Sequence, residues 1–509
     1  IIGKYVLPVE AVDEIVIEEA GADVAGPSAE VLDFLASRPE YSLFCELVRL
    51  TEVHKRLPAQ REDFSYVAPM TFIGNDEINL ADVPGRRFYG FTCFVEPNSV
   101  YEAAGIADVE GMKDYARTWF AEAYEEAAPD IYAAGNNENY LDTNNYFNRF
   151  VAYHFVNKRI SQADFDEVLW TYMPGYDKCL DYTETLAPGQ TLCLAAGMNT
   201  FSDDSFDGRL QLNPSADQVP LDDVPPHYNW SRPVRNGVLL AQKNQMETSV
   251  GLFHELESIL TYPRADFRRT RMRLDYAALF PEFMNNAIRY QIKELNGYGI
   301  PNGYLTNFWS NSTGTRTLYM ATPSQPSAGW WNDFQSDEFI IKGNFDFTIK
   351  LPPVPAGLYE VRIGYTVNGN RGCAQMYLGT SLDNLIASGI PVDLTVGGDR
   401  YGWVKDENTD ADYESDKLLR ANGFMKAPNS SRSDAGYGNR SLREVGTTNS
   451  FPEYALRCIV GTINVPTDGS VFVRFRNATT STTPEFMMDY IEICPATVYD
   501  NPEAMEPRD

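Results

Sequence analysis

The stretch Phe345-Asp346-Phe347-Thr348-Ile349-Lys350-Leu351-Pro352-Pro353-Val354-Pro355-Ala356-Gly357-Leu358-Tyr359-Glu360-Val361-Arg362-Ile363-Gly364-Tyr365 decides how the second half of this chain is read. Apolar residues fall at every second position, first Phe345, Phe347, Ile349 and Leu351, then Tyr359, Val361, Ile363 and Tyr365. A period of two belongs to strands with one buried face, and the proline-rich segment between the runs turns the chain back. Segments 457–465, 471–475 and 486–493 repeat this grammar. Short alternating strands joined by Gly/Pro turns predict a β-sandwich or jelly roll over 306–498, with 499–509 as a tail. Within it, 397–450 is rich in Gly, Asp, Asn and Ser and reads as a long insertion, a length usually reserved for functional or disordered loops.

Upstream of residue 264 the grammar is mixed. Val31, Leu32 and Leu35 make one helical stripe after Ser28, and Leu43, Phe44, Leu47, Val48 and Leu50 make a second beyond Pro39. Residues 88–95 place apolar side chains on both parities, which predicts a strand buried on both faces. Pro97 stops it, Asn98 or Ser99 starts a short helix, and Gly105 suits that helix's end. A longer helix is predicted over 112–125 and an apolar one over 146–156. Residues 180–196 alternate about a Pro188-Gly189 turn, and 202–236 read as a polar loop. The expected fold class is therefore multidomain: a lead-in or tether at 1–28, an α/β domain at 29–263, a connecting segment at 264–305, and the all-β sandwich.

The bulk numbers restrict function. A chain of 509 residues with 43% hydrophobic and 22% charged content supports two to four folded domains. Its net charge of −29 repels phosphate backbones and anionic lipid, so neither nucleic acid nor an electrostatically held membrane is an expected partner. Arg264, Arg268, Arg269, Arg271 and Arg273 form a short basic run, read as a solvated face or as partners for carboxylates. The seven cysteines show no zinc or redox spacing, and most are read as buried thiols.

Three segments of the first domain resemble the fasciclin family. Phe150-Val151-Ala152-Tyr153-His154-Phe155-Val156, with Ile160, Ser161, Asp164 and Phe165 following, is similar to that family's Tyr-His motif. Gly251-Leu252-Phe253-His254-Glu255-Leu256-Glu257, then Ile259, Leu260 and Pro263, is similar to its closing signature, with Glu257 where an Asp is usual. Thr92, Phe94, Asn98 and Tyr101 resemble its strand-to-helix motif, although Pro97 falls one position late. The spacing requires insertions near 57–86, 122–140 and 202–236. The second domain resembles the jelly-roll, carbohydrate-binding-module-like partner that follows fasciclin domains in surface lipoproteins of Gram-negative gut bacteria. It does so through its 355–362 hairpin and Met488-Asp489-Tyr490-Ile491-Glu492-Ile493-Cys494-Pro495. The resemblance implies an exported, non-catalytic outer-membrane adhesion protein that meets the membrane only through an N-terminal lipid anchor. A start at Ile1 without Met is read as consistent with a removed leader.

No motif for catalysis, cofactor or metal stands out. There is no P-loop, dinucleotide fingerprint or nucleophile elbow, and His254-Glu255 lacks the second histidine of a zinc-protease helix. Asp203, Asp204, Asp207 and Gly208 miss the calcium-loop spacing and read as a polar turn. Tyr153 and His154 are the partner-contact residues the resemblance implies; the alternative is a histidine satisfied within the core. Trp330, Trp331, Arg400, Tyr401, Trp403, Asn439 and Arg440, with Asp399 beside them, are the candidate glycan-binding residues. Sugars lay their C–H faces on aromatic rings while polar neighbours take the hydroxyls. Rings plugging the ends of the sandwich are the alternative. The expected partners are thus a glycan on the second domain and a protein or matrix component on the first. A purely structural adhesin and, further off, a glycan-processing enzyme are the competing readings.

Overall fold

The computed structural model describes residues 26–68, 80–161, 180–196, 210–214, 237–241, 245–289, 297–321, 337–406, 414–428, 443, 455–479, 484–502 and 506. It combines an α/β first part with a β-rich second part. The first two helices are Pro27–Ala36 and Ser42–Thr51, separated by the single turn Pro39–Tyr41. Pro27 and Pro39 each stand in a first helical turn, where a missing N–H costs nothing. Helix Val109–Tyr124 begins at Asp108, whose carboxylate accepts the Gly111 N–H at 2.9 Å, a cap worth about 1 kcal/mol. It buries Met112, Ala116, Trp119 and Phe120, the i, i+4, i+7, i+8 stripe of an amphipathic helix.

Strand Phe91–Val95 is buried at all five positions because it lies inside a four-stranded sheet. It runs antiparallel to Phe155–Val156 on one side and parallel to Gly251–Glu255 on the other, with Phe91 opposite Gly251 and Phe94 opposite His254. The predicted 146–156 helix ends at Ala152; Phe155 and Val156 leave it to pair with Cys93 and Thr92. Leu180–Glu184 and Thr191–Ala196 form the expected hairpin, with Gly189 at φ +71° in the turn.

Among the described residues three five-stranded sheets build the second part. The proline-rich turn does not make a hairpin. Asp346–Lys350 pairs with Phe308–Ser310 and Phe472–Asn477, whereas Gly357–Thr366 lies in another sheet between Ala455–Val465 and Tyr490–Pro495. Pro352, Pro353 and Pro355 withhold the N–H groups that a continuing ladder would need, so the chain crosses from one sheet to the other. Residues 264–305, expected to act as a connector, contribute strands. Met272–Asp275 pairs with Tyr490–Pro495, and Gly297–Ile300 lies between Leu80–Asp82 and Thr313–Ala321. One continuous set of buried apolar side chains runs from Val31 to Ile493.

The basic run is mostly buried pairing. Arg264 grips Asp468 through two 2.8 Å bonds, Arg271 bonds Glu506 at 2.9 Å, and Arg273 bonds Glu492 at 2.9 Å. Burial would raise the Glu492 carboxyl, but Arg457, Arg273, Arg271 and Arg362 hold it well below the usual carboxylate range. Among the described residues no helix is long and apolar enough to cross a membrane.

Candidate functional site

The sheet ordered 308–310, 346–350, 472–477, 373–379, 386–393 has two unlike faces. Strict alternation sends Phe347, Ile349, Val473, Phe475, Ala374, Met376 and Leu378 inward, where all are buried. There Phe347 and Phe475 meet Phe486 of a second sheet at ring distances of 5.4 and 4.6 Å. The other parity points away from that core, with Trp309 exposed, Arg474, Tyr377 and Phe472 part-exposed, and Thr348 only 6% exposed. Cross-strand register lines up Trp309, Thr348, Arg474, Tyr377 and Ala387 in one row. Lys350, Phe472 and Gly379 form the row on one side, and Asp346, Arg476 and Gln375 the row on the other.

Trp309 is 37% exposed, with its ring 5.9 Å from Phe472. Three strand spacings of about 4.8 Å put Tyr377 roughly 14 Å away along the same row. Between them Arg474 lies 5.3 Å from the Tyr377 ring centre and holds Asp346 through two 2.7 Å bonds. Hydrogen bonding to Asp346 raises the Arg474 pKa further, so this guanidinium is a permanent, pre-positioned donor. Rings that accept an apolar face, with fixed charged and amide groups between them, can bind a flat polyhydroxylated molecule. From the edge strand Ile386–Asp393 only the exposed Ala387 falls in this row; the exposed Ile386 stands opposite the inward-facing Leu378.

The residues singled out from sequence are placed elsewhere. Trp403 is only 9% exposed, Lys426 lies 5.4 Å from its ring, and its indole N–H has no partner among the described residues. Tyr401 is half-buried and stacked on Phe424 at 4.1 Å. Neither ring presents a platform, because the 424–426 strand of a different sheet lies against them. Arg400 is largely exposed beside Asp399 at 3.6 Å. Trp330, Trp331, Asn439 and Arg440 lie outside the described residues, as does the Asp203–Gly208 turn.

Tyr153 and His154 are turned inward. The Tyr153 hydroxyl bonds the Thr191 carbonyl at 3.0 Å. His154 places Nδ1 2.9 Å from the Phe150 carbonyl and Nε2 2.8 Å from the buried Glu96 carboxylate. Glu96 also accepts the Tyr101 hydroxyl and the Leu260 N–H, each at 2.9 Å. The pair ties helix 146–152, strand 91–95 and the 255–260 turn together, and leaves neither side chain at the surface for a partner.

Trp309, Phe472 and Tyr377 escaped the reading of the sequence for a local reason. Phe308–Ser310 is three residues long, too short to show a period, and Cys373–Gly379 is apolar enough on both parities to hide its alternation. The usable signal was Phe472, Arg474 and Arg476 interleaved with Val473 and Phe475.

No family model matches the chain, and no curated protein sequence matches it. Among solved structures it is similar to the mosquito-larvicidal Cry4Aa toxin from Bacillus thuringiensis, at 14% identity over 36% of this chain, with a TM-score of 0.19. The match spans only 22% of the toxin. It is also similar to the K1 cleaved adhesin domain of Lys-gingipain from Porphyromonas gingivalis W83, at 8% identity over 39% of this chain and 93% of that domain, again with a TM-score of 0.19. Likeness at this level assigns no fold and no function.

Proposed function

We propose that this chain is a non-catalytic cell-surface binding protein that holds glycan on the outer face of the 308–393 sheet. In this reading the second part is a jelly-roll carbohydrate-binding module. The first part is a fasciclin-like domain that meets a protein or matrix partner through surfaces other than Tyr153 and His154. Export and lipid anchoring to a bacterial outer membrane belong to the same proposal. The single observation that supports glycan binding is the register row that carries Trp309, Arg474 and Tyr377 on one solvent-facing surface.

The test is a glycan array followed by titration calorimetry on the full chain. A single-site dissociation constant near 1 mM, about −4 kcal/mol, is a meaningful affinity for such a surface. Trp309→Ala and Tyr377→Ala are each expected to weaken binding about tenfold, or ~1.4 kcal/mol, with unchanged circular dichroism. Failure of every glycan to bind overturns the assignment and favours a purely structural adhesin, while affinity untouched by both substitutions overturns the 308–393 sheet as the site. Release of reducing ends from the array's polysaccharides would favour the glycan-processing enzyme instead.

A further inference from the structure

A cavity of about 330 Å³ opens where the two parts of the chain meet, within the ~300–1,000 Å³ range of small-molecule sites. The first part supplies Asn157, Lys158 and residues 183–186; the second supplies Thr306, Asn307 and residues 350–352. Leu279 and Pro281 close one side. Two features of its lining are unexplained by folding alone. The Thr183 hydroxyl is buried, with the residue 2% exposed, and has no hydrogen-bond partner among the described residues. Lys158 is also buried, yet its ammonium group bonds only the Ala278 carbonyl, and among the described residues no carboxylate pairs with it. An unpaired buried charge and an orphaned hydroxyl both cost stability, and such groups are retained where a ligand satisfies them.

The charge balance indicates the ligand's sign. Lys158 and Lys350 bring two positive charges, whereas Glu184, bonded to Lys350 at 2.6 Å, brings one negative charge. Counted over the lining alone the excess is one positive charge, with Asp181, Glu282 and Arg289 acting on Lys158 from behind it, inside a chain of net −29. Leu186, Leu279, Pro281, Leu351 and Pro352 offer apolar contact for C–H groups.

We propose that this cavity binds a small polyhydroxylated monoanion, of the charge and size of a sugar acid, with Lys158 meeting its carboxylate and Thr183 a hydroxyl. The site shares Lys350 with one outer row of the sheet but lies between the two parts and excludes Trp309, Phe472 and Tyr377 from its lining.

Burial lowers the Lys158 pKa to about 8; Asp181, Glu282 and Glu184 oppose that shift and Arg289 reinforces it. A bound carboxylate stabilises the ammonium form, so binding takes up a proton where the empty site is part-neutral. The experiment is calorimetry on the full chain with glucuronate, glucose and acetate, in buffers of different ionisation enthalpy. Glucuronate is expected to bind at least tenfold more tightly than glucose or acetate. Uptake should be about half a proton per ligand at pH 8 and close to none at pH 6. Lys158→Met and Thr183→Val should each weaken glucuronate at least fivefold, while Trp309→Ala leaves it unchanged. A variant that fails to fold is replaced by Lys158→Arg, which should keep binding but abolish the proton uptake. Equal affinity for the three probes, no binding of glucuronate, or binding without uptake at pH 8 overturns the proposal.

Discussion

His254 stands opposite Phe94 in the parallel register, stacked on its ring at 5.6 Å, and its Nε2 reaches the Ile160 carbonyl at 2.8 Å. A carbonyl only accepts, so Nε2 carries the hydrogen and Nδ1 is left bare in the neutral ring. Burial drives the His254 pKa down to about 4, and the Ile160 hydrogen bond only partly opposes it. The unfolded chain, with an ordinary value near 6.5, therefore binds more protons than the folded one between about pH 6.5 and 4. The stabilisation is complete above about pH 6.5 and is lost as the pH falls through that window, a change of about 3 kcal/mol. Urea melts from pH 7 to 4 should show His254→Gln losing correspondingly less stability than the parent; identical slopes would exclude this residue as the source.

At the scale of elements, strand pairing depends on small residues at close approaches. Gly251 lies opposite Phe91, and a Cβ placed there would stand 2.1 Å from the Phe91 ring. The ring has no room to retreat, since it packs edge-on against Phe253 at 5.5 Å in a fully buried strand. Gly251→Ala is thus expected to destabilise the fold by about 1–3 kcal/mol through overpacking, read from a denaturant midpoint shift at constant m-value. Pairing Gly251→Ala with Phe91→Leu should recover part of the loss, which a backbone effect would not allow. The opening Gly of the closing motif was visible in the sequence, but its reason was not. Only the parallel register, which joins residues about 160 positions apart, shows what the missing side chain accommodates.

For the whole molecule, the junction between the two parts depends on Asp468. Its carboxylate takes both Arg264 bonds and the Ala356 N–H at 2.8 Å, and its backbone lies against Gly189 at the tip of the 180–196 hairpin. Thr191 reaches the Pro353 carbonyl at 2.6 Å beside it. Asp468→Ala would leave the buried Arg264 without its counter-charge, which costs about 3–5 kcal/mol. Differential scanning calorimetry should show the main transition falling; a change confined to one part of the chain would mean the junction carries little of the stability. Substituting Arg264 and Asp468 together by Met and Leu should cost far less than the single change.

The sequence by itself determined the periodic features: the two early helices, the hairpin about Pro188-Gly189, the buried strand near Phe91, and the alternating runs on both sides of Pro352. Each is set by neighbours a few residues apart, so local spacing suffices to reveal it. The tertiary structure decided which strands share a sheet, and hence that Trp309, Arg474 and Tyr377 share a face while Trp403 is covered. It also decided that residues 264–305 are woven into sheets and that a polar cavity separates Lys158 from Lys350. The physical reason is that alternation tells which side chains are on the same side of a strand. It does not tell which strand lies alongside, because that choice is made by long-range packing of Phe347, Phe475 and Phe486 and by the closure of loops around them.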